Sequence, residues 1–247
     1  MSELVLFFVA GIVGGIVNAA AGGAKLFVFP MLLASGMPPL MANATGAVGM
    51  WPAQIAAVWV NRKGLFDTPG KMFAQMLPAL VGGFCGAVAL IFSSEKAFLA
   101  VIPALLLLAV GAILLGKRLT VLMQRAFPGG RLQKVSHVLM FAVGFYGGYF
   151  GAGLGFMLIA VLSVAGGLSM QKANTLKNLT AFFIYSVAVV PLSVSGLVDW
   201  GAAGTVLVGG LIGGYAGGYI VKYLPDTPMR IAVAGLGLVL VVSYLFL

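Results

Sequence analysis

Chemistry enters this chain at a lysine, a few carboxamides and hydroxyls, and glycines grouped where a helix would have to break. Lys25 stands in apolar sequence, where an ammonium costs about 2.5–3.5 kcal/mol on insertion scales. It must reach a wet cavity or an anion, or snorkel to a lipid headgroup. Ahead of it runs Asn18-Ala-Ala-Ala-Gly22-Gly23, and a second glycine group, Gly147 to Gly155, includes Gly151 and Gly153. A helix restarting inside a membrane at Gly22-Gly23 or at Gly153-Gly155 leaves unpaired N–H groups at its positive end, an arrangement suited to an oxyanion. Glycine lets the ligand approach that backbone or serves tight packing, and Asn18 can donate its amide to the same anion. Asn43 and Thr45, and later Asn174, Thr175 and Asn178, form two polar clusters at expected helix starts; helix capping explains part of them, and they can also supply neutral donors. Lys177, one turn after Asn174, reads either as pore-lining or as an interfacial lysine. The candidate binding set is therefore Asn18, Gly22, Gly23, Lys25, Asn43, Thr45, Gly153, Gly155, Asn174, Thr175, Lys177 and Asn178.

Other chemistries lack their parts. Cys85 is the single cysteine and His137 the single histidine, with no carboxylate near it, so no metal cluster is expected. No nucleotide motif and no Ser-His pair appears, so neither a cofactor nor an enzyme is expected. The five acids Glu3, Asp67, Glu95, Asp199 and Asp226 all fall outside the middles of the apolar runs, which leaves no evident carboxylate proton relay. Asp67 and Asp199 stand just ahead of helices and are expected to cap them.

The elements that must carry these residues follow from composition. Of 247 residues, 62% are apolar and 36 are glycine, and only 8% are charged. Soluble domains carry about 25% charged residues, so the solvent is lipid, and soluble enzymes, nucleic-acid modules and disordered tails are excluded. The net charge of +9 is spread between apolar runs and signals topology. Residues 4–17 followed by three alanines imitate a signal peptide, but Ser2-Glu3 supplies no positive start, so the segment is read as mature protein. Runs of spanning length cover 41–60, 70–92, 97–116, 175–195, 201–222 and 229–247. Residues 4–35 and 136–168 are too long for one helix and break near their middles, leaving arms of about 12–15 residues that stop short of a crossing. Each is read as two half-helices meeting at a non-helical tip.

The chain also repeats. Gly64-Leu65-Phe66-Asp67 matches Gly196-Leu197-Val198-Asp199 at an offset of 132, and Gly82, Gly86 and Ala100 match Gly214, Gly218 and Ala232 at the same offset. The unit is one broken hairpin plus three helices, giving a first repeat over 1–116, a basic linker over 117–134 and a second repeat over 135–247. The linker is expected to be cytoplasmic under the positive-inside rule. If each hairpin returns to its own side, 12 basic residues fall inside and 1 outside, with Lys25 set apart; if 136–168 crosses once, the split is 8 against 5. The returning hairpin is favoured, and it gives the copies opposite topology. The expected fold is an all-α polytopic membrane protein of two inverted repeats with discontinuous helices, the architecture of secondary transporters.

The run Gly14-Gly-Ile-Val-Asn18-Ala-Ala-Ala-Gly22-Gly23, the following Ala42-Asn43-Ala-Thr45, the break Gly151-Ala-Gly153-Leu-Gly155 and Ala173-Asn174-Thr175 together resemble the TauE/SafE family of sulfite-exporter-like permeases over essentially the whole chain. The resemblance implies an inner-membrane carrier for small sulfur-containing anions such as sulfite, thiosulfate or organosulfonates. After Gly22-Gly23 that family usually continues with a small residue, whereas this chain has Ala24-Lys25, which leaves the substrate open. Export by alternating access could run on the membrane potential alone. An anion channel, or a permease for a short carboxylate, is the alternative. The expected partners are the bilayer and a small anion, not nucleic acid, and the glycine spacings admit a homodimer contact.

Overall fold

The computed structural model describes residues 2–60, 69–126, 135–164 and 170–220, with isolated positions between 231 and 242. Its regular structure is helical throughout: α1 Ser2–Ala21, α2 Lys25–Ala34, α3 Pro39–Val60, α4 Pro69–Ile91, α5 Glu95–Ala126, α6 Ser136–Tyr149, α7 Leu154–Val164, α8 Met170–Val194 and α9 Trp200–Ile220. Among the described residues, three stretches are long and apolar enough to cross a membrane, Glu95–Gly116, Leu176–Val194 and Trp200–Ile220. Their outward faces are apolar: Leu107, Leu108, Leu115, Val190, Val194 and Ile212 are all exposed. Water would penalise such a surface, and lipid does not.

Both expected breaks are present, with shifted boundaries. The first helix stays helical through Asn18 and the three alanines, which are good helix formers, and ends at Gly22, where φ reaches +66°. The two arms are therefore unequal: α1 has 20 residues, about 30 Å of rise, and α2 has 10, about 15 Å. The expectation of two short arms is corrected for α1, and Asn18 lies on a helix rather than in the break. In the second hairpin, α6 has 14 residues and α7 has 11, with Gly151 and Gly153 at positive φ between them.

Three further boundaries differ. The fifth helix continues to Ala126, so the expected linker is helical over its first part, while 127–134 lie outside the described residues. The eighth begins by Met170, so Asn174, Thr175, Lys177 and Asn178 are interior to it and not at its start. The third begins at Pro39, which also takes Asn43 and Thr45 past any capping position. Proline supplies that start because its missing N–H falls where a helix has no partner for one. Asp199 caps as expected: its Oδ1 accepts from the Ala202 amide at 2.9 Å. Asp67 and most of the run 229–247 lie outside the described residues.

Small residues decide which helices meet. The closest packings are α1 along α9 and α4 along α6. A Cβ on Gly15 would stand 2.6 Å from the Gly210 carbonyl oxygen, and one on Gly86 would stand 2.8 Å from the Tyr149 amide nitrogen. Backbones this close maximise van der Waals contact, the main attraction available between helices in lipid. The third and ninth helices also pack together and run in the same direction, with Gly49 beside Val206, Gly210 beside Met50 and Ala53, and Gly214 beside Ala53 and Ala56. The fold predicts a contrast between two glycines. Gly15→Ala should lower stability by about 1–3 kcal/mol through overpacking. Gly204→Ala, where an added Cβ meets nothing within 4 Å, should be neutral or stabilising. Thermal unfolding of the two variants in detergent checks this.

Candidate functional site

The two hairpin breaks meet. The Gly155 amide points to the Gly22 carbonyl at 3.5 Å, a long contact, and a Cβ on Gly22 would lie 2.6 Å from the Gly155 Cα. Positive φ and this approach both require glycine at position 22. The neighbouring Gly23 is buried and non-helical, and its carbonyl accepts from the Leu26 amide at 3.0 Å. The second helix then begins at Lys25, and Ala24 before it offers no side-chain cap. The other amides of that first turn, those of Phe27 and Val28, donate to the Ala24 carbonyl at 3.0 Å.

Lys25 is 3% exposed, so it does not snorkel. Its ammonium donates to Asn43 Oδ1 at 2.8 Å, and the ring centroid of Tyr185 lies 6.0 Å away. Asn43, fully buried, passes the connection on by donating its Nδ2 to the Tyr149 carbonyl at 2.8 Å. Lys25 thus joins α2, α3 and the end of α6 through neutral groups, and among the described residues it has no carboxylate partner. A second polar pair lies one turn before the first break. Asn18, 2% exposed, accepts a hydrogen bond at Oδ1 from Gln54 Nε2 at 3.1 Å, and its own Nδ2 is left without a partner.

The second break is held from both sides. Tyr185 donates its hydroxyl to the Gly151 carbonyl at 3.1 Å, and Tyr146 donates to the Ala152 carbonyl at 2.6 Å. These bonds satisfy two carbonyls of the loop between α6 and α7, whose flanking amides at Leu154 and Phe156 donate in turn to the Gly151 and Gly153 carbonyls. Phe29, Phe98 and Phe150 pack edge to face beside the break, with centroids 5.6–6.5 Å apart, and close that flank with apolar surface.

The remaining sequence candidates fall as follows. Thr45 is buried and its Oγ1 accepts from the Asp199 amide at 3.0 Å, which ties α3 to the start of α9. The Gly153 carbonyl accepts from Phe156, and Gly155 is the second residue of α7. Lys177 and Asn178 are buried on α8, about two turns before Tyr185. The side chains of Asn174 and Thr175 lie outside the described residues. Sequence reading missed Gln54 and Tyr185. Each is a polar group in the middle of an apolar run, where it needs a partner, and that was the signal available.

A helical protein whose discontinuous helices meet at a buried ammonium and an unpaired amide has the make-up of a polytopic membrane transporter. The chain belongs to the family described as Sulfite exporter TauE/SafE, whose sequence pattern matches residues 7–244. It is 26% identical over 222 residues to a probable membrane transporter protein of Haemophilus influenzae, covering 85% of this chain and 81% of that one. It is also 28% identical over 214 residues to the probable membrane transporter protein YfcA of Escherichia coli, covering 83% of this chain and 75% of that one. No solved structure matches it.

The geometry makes Asn43 the residue that keeps Lys25 satisfied. Asn43→Leu should cost about 1–3 kcal/mol by stranding a buried charge donor. Adding Lys25→Met should recover part of that loss, because the stranded group is then gone. Thermal unfolding of both single variants and the double variant measures the coupling, and additive effects would show that the two residues act independently.

Proposed function

We propose that the protein is a secondary carrier of small sulfur-containing anions across the inner membrane, working in the export direction by alternating access. The observation that carries this reading is the Lys25 ammonium, buried at the junction of the breaks with only a neutral amide oxygen for a hydrogen-bond partner. An ammonium removed from water without a counter-ion is costly, and a substrate anion offsets that cost. The unpaired Asn18 amide adds a donor of the same preference. The family membership points to sulfite or a related sulfur anion, and Lys25 in place of a small residue adjusts which one.

Two copies of opposite orientation supply the moving parts. Exchanging the copies maps α1, α3 and α4 onto α6, α8 and α9, and the packing of α1 on α9 then maps onto that of α6 on α4. Copies of the same orientation would put α3 and α9 antiparallel; their parallel course supports the inverted arrangement. Access then alternates as one copy rocks against the other around the breaks. The basic stretch 117–134 is cytoplasmic in this reading, and an inside-negative potential drives each net negative charge outward with about 2.3 kcal/mol per 100 mV.

Proteoliposomes with an imposed potential and no proton or sodium gradient should move labelled sulfite, thiosulfate or a sulfonate, with saturation. Lys25→Ala should weaken substrate affinity about tenfold or more, as expected for loss of a charged hydrogen-bond donor. Flux that ignores voltage would remove the mechanism. Failure to saturate, together with single-channel currents, would replace the carrier with a channel.

A further inference from the structure

We infer that Trp51 of α3 and Phe182 of α8 form the pivot about which the two copies rock, a contact that stays closed in both the inward-open and the outward-open state. The inference rests on the reading of the protein as a carrier of two inverted copies, and it says where the motion is centred. The copies can be set in register inside these two helices. The helix starts Pro39 and Met170 stand 131 positions apart, one fewer than the glycine matches, and so do Ala42-Asn43 and Ala173-Asn174. At that offset Trp51 falls on Phe182, and Gln54 falls on Tyr185. In the folded chain the first pair touches: the two rings stack with centroids 6.1 Å apart and planes 10° from parallel.

Like positions of two copies related by a two-fold axis lie on opposite sides of that axis at equal distances, so a pair in contact lies at the axis itself. Alternating access exchanges the conformations of the copies. A contact between unlike positions is then traded for a different one, whereas a contact between like positions is carried onto itself. The packing of α3 on α8 through Trp51 and Phe182 is of the second kind. The bond from Trp51 Nε1 to Ser186 Oγ at 2.8 Å is of the first kind, because it maps onto Phe182 and Ile55, whose side chains have no donor and no acceptor. The rings therefore stay together, and that bond belongs to one state. Two further features suit a pivot. Pro52 follows Trp51 inside α3 and lacks the N–H that would bond the Val48 carbonyl, which makes this a point where the helix can bend. One turn beyond the rings, Gln54 donates to Asn18 Oδ1 at 3.1 Å and Tyr185 to the Gly151 carbonyl at 3.1 Å, so each helix carries the break of its own copy as it tilts.

The test is double electron–electron resonance on the full chain in lipid nanodiscs, in a Cys85→Ser background, with spin labels on exposed positions that leave both rings untouched. Labels at Trp59→Cys and Val190→Cys, like positions on α3 and α8, should give one distance with and without sulfite. Labels at Leu77→Cys on α4 and Ile212→Cys on α9, unlike positions on the two copies, should give two distances whose populations shift when sulfite is added. A second measurement joins Trp51→Cys to Phe182→Cys with a short bifunctional thiol reagent in proteoliposomes. The joined pair should move labelled sulfite within about twofold of the unjoined pair, since a pivot need not open during the cycle. A gate at this place must part in every cycle, and joining it stops transport. Arrest by the link, or two distances at positions 59 and 190, overturns the pivot and leaves the carrier standing. If the cysteine pair does not fold, the labelled pairs decide. A single distance at positions 77 and 212 under all conditions overturns the rocking and the pivot together. Two distances there whose populations ignore sulfite, thiosulfate and methanesulfonate, with one distance at 59 and 190, support the pivot and overturn the sulfur-anion substrate.

Discussion

A lysine ammonium buried away from water must be held by oxygens, and the connection from Lys25 through Asn43 to the Tyr149 carbonyl is how this protein meets that demand. It crosses three elements. The second helix must start at Lys25, the third must present Asn43 on its inward face, and the sixth must end close enough for its terminal carbonyl to be reached. Each condition depends on another part of the structure: Gly22 turns the chain so that α2 begins there, and Tyr146 and Tyr185 hold the loop that follows Tyr149. Removing any of these supports leaves a charged donor or a backbone carbonyl unsatisfied where water cannot replace it.

Packing between helices makes that meeting possible. Lipid offers no hydrophobic drive to bring helices together, so the two long hairpin arms dock where glycine permits close backbone approach, α1 on α9 and α6 on α4. Both breaks are then carried to a common place and touch at Gly22 and Gly155. The glycine content therefore has two separate roles. Some glycines serve the seams between helices, and a few serve the breaks themselves, where positive φ is required.

How much of this was legible can be judged residue by residue. The Lys25 cost, the existence of two breaks and the capping by Asp199 could all be read from neighbours along the chain. The position of the first break was misplaced because polar Asn18 resembles a breaker, although the alanines after it keep the helix going to Ala21. Thr45 was grouped with the ligand donors, and its hydroxyl oxygen instead receives the Asp199 amide, 154 positions away. Gln54 passed unnoticed as one polar residue in an apolar helix. Its meaning came only from the Asn18 oxygen it engages, 36 positions earlier.

The sequence alone determined the solvent, the apolar runs, the existence of two helix breaks, and the presence of one lysine too deep to be indifferent. Those properties are local: hydropathy, helix propensity and the φ that glycine allows are set within a turn or two. Tertiary structure alone decided that Lys25 bonds to Asn43 rather than snorkelling, that Asn43 reaches a carbonyl 106 positions on, and that Asn18 keeps its donor end free. A carboxamide or an ammonium can bond to any oxygen within reach. Which oxygen that is depends on how distant helices pack, and the order of residues along one helix does not contain that information.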